Sequence, residues 1–165
     1  MLEPWNKRSQ IVAHLLNPAF SGLMLRRAVS GYETIKPIGM PFALTPLVLP
    51  LVLHPHTRKA LPDIRTSFPT WLQEHRELLV DFPQRIKELL PYTRESIIFA
   101  IQRDALEIDG QCLLHDGRAK MKGKTTYPKM SSEIGECWRR SDFVGRWFAD
   151  AGPVETIYGL LGITP

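Results

Sequence analysis

Gly39-Met40-Pro41-Phe42-Ala43-Leu44-Thr45-Pro46-Leu47-Val48-Leu49-Pro50-Leu51-Val52-Leu53-His54 is an almost unbroken apolar run punctuated by three prolines. A membrane-spanning helix needs about 20 apolar residues and no unsatisfied backbone in lipid. This run is shorter, and Pro41, Pro46 and Pro50 each remove a backbone donor. One continuous helix through it would carry interior prolines at roughly 3 kcal/mol each. The reading is therefore a short helix that begins near Pro50 or is kinked there. Its all-round hydrophobicity places it in the centre of a domain or beneath another subunit. No membrane span is expected.

Working outward, the flanks read as helices with recognisable ends. Ile11, Val12, Leu15 and Leu16 have helical spacing, and the helix they imply stops at Asn17 because the residue before a proline avoids the helical region. A second helix opens at Pro18, with Leu25, Ala28, Val29 and Tyr32 on its apolar face and Gly31 weakening its last turn. Thr34 to Pro41 reads as loop. Further on, Ser67, Asp81 and Thr93 are each placed to cap a short helix. The period then changes to alternation at Leu106, Ile108, Cys112 and Leu114 around Asp109-Gly110, a two-residue hairpin signal. Three helices and a hairpin is the order of a winged helix, which makes the middle portion winged-helix-like. Ser131 or Ser132, then Ser141-Asp142, precede further helical patterns, and Pro153 opens a last helix ended by Gly162. The fold expected is mainly α with a small β-hairpin. With 165 residues it should form one compact domain over 1–165, whose lobes would be 1–62, 63–116 and 131–165.

Composition narrows the function. Hydrophobic content of 44% and charged content of 23% are those of an ordinary folded chain. The first residues lack the pattern of a secretory signal, and two cysteines, Cys112 and Cys137, could form one bridge at most and stay thiols in a reducing compartment. A cytoplasmic location is expected. The net charge of +4 is local: Arg118, Lys120, Lys122, Lys124 and Lys129 lie between residues 117 and 129 with no acid among them, which leaves 16 bases and 17 acids elsewhere.

That basic segment carries two readings. Gly117 and Gly123-Lys124-Thr125 imitate a phosphate loop, but five residues separate the glycines where the motif has four, and Pro128 interrupts the helix that should follow. Arg118, Lys120, Lys122 and Lys124 alternate strictly, so on an extended strand they share a side and become candidate DNA contacts through phosphates. A solvated basic loop is the plainer alternative. His54 with His56, and Cys112 with His115, have metal-like spacing but no second matching pair. Asp104, Glu107 and Asp109 lack the companions of a nuclease centre. No catalytic residue, cofactor or metal is assigned. Arg146-Trp147-Phe148, with Trp138, Phe143 and Tyr158, is the densest aromatic cluster and reads as core packing or as an interface anchor.

The apolar run together with Leu15-Leu16-Asn17-Pro18-Ala19-Phe20, Leu25-Arg26-Arg27-Ala28-Val29-Ser30-Gly31-Tyr32, Phe143-Val144-Gly145-Arg146-Trp147-Phe148-Ala149, Thr156-Ile157-Tyr158 and Gly162-Ile163 resembles the middle component of bacterial three-component ABC systems. The small subunit of Lamassu-type defence systems plays a comparable part. The resemblance implies a non-catalytic bridging subunit between an SMC-like ABC ATPase and an effector, a nuclease being one form of effector, with DNA reached through the complex and phage or plasmids as targets. Arg26, Arg27, Arg146 and Trp147 are then the protein-interface candidates. The alternative from another class is a free-standing winged-helix DNA-binding transcriptional regulator. Against it, Glu95-Ser96-Ile97-Ile98-Phe99-Ala100-Ile101 is too apolar to read a groove.

Overall fold

The computed structural model describes residues 2–4, 7–63, 65–120 and 132–163, and of Ile11 and Leu15 the backbone alone. Its helices are α1 (Gln10–Leu15), α2 (Pro18–Ile35), α3 (Thr45–Leu53), α4 (Pro55–Ala60), α5 (Phe68–Glu74), α6 (Phe82–Gln102), α7 (Glu133–Ala151) and α8 (Val154–Leu161). Among the described residues three short strands, β1 (Met40–Pro41), β2 (Leu106–Ile108) and β3 (Leu113–Asp116), complete a mainly α fold with a small β part.

The prolines explain how so proline-rich a chain is so helical. Each of α2, α3, α4, α5 and α6 has a proline within its first two residues, where the absent N–H would have had no partner and the fixed φ already suits the helix. In α3 that residue is Pro46, so the helix starts at Thr45 and not near Pro50, and Pro50 lies inside it. Leu47, Val48, Leu49, Leu51 and Val52 are all buried by this chain itself. Asn17, Ser67 and Ser132 cap α2, α5 and α7 through their side-chain oxygens, and left-handed Gly162 ends α8.

Two expected helix starts are interior instead. Thr93 sits within the continuous α6, where its hydroxyl donates to the Leu89 carbonyl at 3.0 Å, and Pro91 is tolerated on the exposed side of that helix. Ser141 likewise lies within α7 and donates to Cys137 O at 2.9 Å. The hairpin is therefore preceded by α5, a 3-10 turn over Arg76–Leu79 and one long helix, not by three short helices.

The sheet is antiparallel in the order β1-β3-β2, with Met40 opposite Leu114 and Ile108 opposite Leu114 from the other side. β1 falls in the stretch expected to be loop. The turn is also wider than a two-residue one: the Asp109 side chain accepts from the N–H groups of Gln111 (2.8 Å) and Leu113 (2.9 Å), and Cys112 takes a positive φ of 59° in place of a strand position.

α2 is the central helix, packed along α7 and α6, with α3 against both. Gly31 and Gly145 make the α2–α7 crossing close. A Cβ at Gly31 would come within 3.2 Å of Asp142 Cα, and one at Gly145 within 2.9 Å of Tyr32 N. Gly31 thus serves packing rather than helix termination, since α2 runs on to Ile35.

Candidate functional site

The arginines predicted as interface residues are largely committed to the fold. Arg26, on α2, is only 6% exposed; its Nε donates to Asp116 Oδ1 at 2.5 Å and its Nη2 to Gly117 O at 2.8 Å, which ties the end of β3 to the central helix. Arg27 pairs with Asp142 of α7 at 2.7 Å, and its guanidinium lies 5.2 Å from the Trp138 ring centroid. Arg146 pairs with the same carboxylate from one turn further along α7, with about a third of its side chain exposed. Asp142 is therefore held between two cations.

Trp147 is 3% exposed and belongs to the core. Its ring meets Phe68 at 4.8 Å, Phe143 at 5.2 Å and Trp71 at 5.3 Å between centroids, and its indole N–H donates to Thr66 O at 2.9 Å. Of the aromatic cluster, Trp147 thus presents packing, while the neighbouring Arg146 reaches the surface.

Of the four candidate DNA contacts, Arg118 and Lys120 are exposed, and Lys122 and Lys124 lie outside the described residues, as do Gly123, Thr125, Pro128 and Lys129. Arg118 donates to Glu107 Oε1 at 3.0 Å. Lys120 and Arg26, assigned to different roles from sequence, line one cavity with Arg103 between α2 and the end of α6.

Of the residues with metal-like spacing, His54 and His115 have hydrogen-bond partners within the fold. His115 Nδ1 is 2.9 Å from Glu33 Oε1 and Nε2 is 3.2 Å from Asp109 Oδ2; the hydrogen bond to Asp109, reinforced by Glu33, raises its pKa. Cys112 is exposed, whereas Cys137 is buried, its thiol pushed up by desolvation. His54 caps α4, and burial with Arg85 nearby lowers its pKa. No set of three His, Cys, Asp or Glu side chains suited to a metal occurs among the described residues.

Sequence reasoning missed Arg58, the most deeply buried cation among the described residues. It is 2% exposed and donates to Glu133 (2.5 Å), Glu136 (3.1 Å) and Val52 O (2.8 Å), so it joins α4, α7 and the end of α3. A basic pair in a short helix, Arg58-Lys59, gives no sign of burial by itself.

Compared with known proteins, residues 5–165 match the model of the ABC-three component (ABC-3C) system Middle Component 3 family. The chain belongs to that family: it is a middle component of a three-component ABC system. No curated protein and no solved structure matches it. The segments that carried the resemblance have visible work in the fold, since Gly31 and Gly145 form the α2–α7 crossing and Tyr158 donates to Ala43 O at 2.6 Å, holding α8 onto the 3-10 turn that precedes α3. Among the described residues no helix is long and apolar enough to cross a membrane.

Proposed function

We propose that this protein is the non-catalytic bridging subunit of its system, a cytoplasmic adaptor of one compact domain that links an SMC-like ABC ATPase to an effector in defence against phage or plasmids. The observation that carries the reading is the family match over 5–165. In this reading the ATPase senses DNA, the adaptor holds the effector inactive beside it, and ATP-linked rearrangement releases the effector. The chain works by complementary burial, not by bond chemistry. Arg26, Arg27 and Arg58 join elements of the fold through ion pairs, and Arg118 is left at the surface, where it would meet DNA held by the assembly.

Co-expression with the ATPase and the effector encoded beside it tests the proposal. The expected result is a complex that requires this chain for the other two to associate, together with no ATP hydrolysis and no DNA cleavage by the chain purified alone. ATPase activity that survives further purification and disappears on Lys124→Ala would overturn it. Neutralising Arg118 in the assembled complex should reduce the log–log salt slope of DNA binding by up to about 0.9, the share of one phosphate contact. An unchanged slope assigns it to solvent or to protein contacts.

A further inference from the structure

A cavity of about 540 Å³ lies between the first turns of α2, the last turn of α6 and the chain leaving β3. Its floor is apolar, formed by Phe20, Leu23 and Phe99, and its cations are Arg26, Arg103 and Lys120; among the described residues none of its walls is acidic. The three cations are not equivalent. Arg26 is compensated by Asp116 and by the Gly117 carbonyl. Arg103 is exposed and set 5.2 Å from the Phe99 ring centroid, which fixes its charge at the edge of the apolar floor. Lys120 is exposed where the chain leaves β3. The cavity therefore offers positive charge at its rim and hydrocarbon beneath.

We infer that this cavity is a docking site for an acidic segment of a partner protein, one that inserts a large apolar side chain onto Phe20, Leu23 and Phe99 and places a neighbouring carboxylate between Arg103 and Lys120. The inference rests on the bridging role proposed above and names the chemistry by which one partner is held. Charge complementarity selects an anion. The apolar floor selects a peptide over a nucleic-acid backbone, because phosphates gain from donors and positive charge and leave such a floor uncovered. A large side chain buried in a well-packed, desolvated pocket, with a rim of contacts that exclude water, is the usual form of a binding hot spot.

Two variants separate the parts of the site. Ala19→Trp, at an exposed wall position, plugs the cavity without touching a cation. The double variant Arg103→Glu with Lys120→Glu reverses the rim at two exposed positions. Affinities of each purified variant for the ABC ATPase and, separately, for the effector are measured beside thermal melting and binding to a DNA duplex. Both variants should weaken the same one of the two partners by about tenfold or more, with the other partner and the melting temperature unaffected. Native affinity for both partners in both variants would overturn the site. So would loss on charge reversal alone, which would reduce it to surface charge, or a loss confined to the DNA duplex, which would make it a nucleic-acid surface. If the unmodified chain binds neither partner, the bridging role fails first and the docking site with it. Should the double variant not fold, Lys120→Glu paired with Ala19→Trp carries the same comparison.

Discussion

Gly145 of α7 lies so close to Ala28 of α2 that no Cβ fits between it and the Ala28 carbonyl oxygen. Gly31 meets the Asp142 backbone in the same way from the other helix, so the two central helices touch through their backbones at a pair of glycines. Elsewhere a glycine in a helix is a weakness. Here it sets the distance at which α2 and α7 pack, and with it the positions of Arg27, Asp142 and Arg146 on their shared face.

Gly145→Ala is therefore expected to destabilise the protein. In an unobstructed helix the same change gains about 0.5–1 kcal/mol through lost backbone freedom in the unfolded chain. Overpacking of a tight contact costs about 1–3 kcal/mol, and backbone cannot yield as a side chain can. Gly159 of α8 is the control, because nothing lies within 4 Å of the position its Cβ would take. Thermal melting should fall for Gly145→Ala and rise for Gly159→Ala. The same direction of change in both would remove the close crossing as the reason for Gly145.

Trp147→Ala and Arg146→Ala should part sharply although the residues are adjacent. Trp147 fills the core between α5 and α7, and truncating a buried tryptophan costs about 3–5 kcal/mol. Arg146 is partly exposed and shares Asp142 with Arg27, so its loss should cost less than about 1 kcal/mol. Melting curves of the two variants give the comparison directly. A drop in partner affinity for Arg146→Ala at unchanged stability would mark its face of α7 as an interface; full affinity for both partners would remove it from consideration.

Much of the helical framework was legible because its punctuation is local. Asn17-Pro18, Ser67, Ser132 and Gly162 act on backbone groups within a few residues, and the structure uses each at a helix end. Thr93 and Ser141 carry the same hydroxyl chemistry but spend it on carbonyls four residues back, an alternative that sequence does not distinguish from capping. β1 is two residues long and exists only because β3 pairs with it. The site was harder to read. Arg26 and Lys120 look unrelated along the chain, and only the docking of α2 against α6 and the end of β3 puts them on one cavity.

Arg58 gives a stability test that no local pattern suggests. Arg58→Ala removes the donor to Val52 O and the shared partner of Glu133 and Glu136. Breaking a buried pair costs about 3–5 kcal/mol when the remaining charge stays buried. Glu133 is 69% exposed and Glu136 33%, so both can recover water, and a cost of about 2–3 kcal/mol is expected, discounted for that screening. Glu133→Gln should cost less than about 1 kcal/mol. Equal losses in the two variants, measured by denaturant unfolding, would show that the buried carbonyl hydrogen bond contributes little and that the ion pair carries the effect.

His115 should make stability depend on pH in a defined direction. Its imidazole is held between Asp109 and Glu33, beside the positive-φ Gly39, where an added Cβ would come to 2.5 Å from the ring. The hydrogen bond to Asp109, followed by that to Glu33, raises its pKa above the ordinary value of about 6.5. A folded pKa above the unfolded one means that the folded protein binds more protons through that interval, so the stabilisation is complete below about pH 6.5 and is lost as pH rises through the folded value. His54 works in the opposite sense, because burial and Arg85 lower its pKa, and stability gained from it grows as pH rises. The contribution of His115 must therefore be read as a difference. Unfolding free energies of the native chain and of His115→Gln, followed from about pH 5.5 to 8.5, should diverge at the acid end and converge at the alkaline end. A constant difference across that range would mean that His115 contributes by packing and neutral hydrogen bonds alone, and that its carboxylate partners do not hold a proton on the ring.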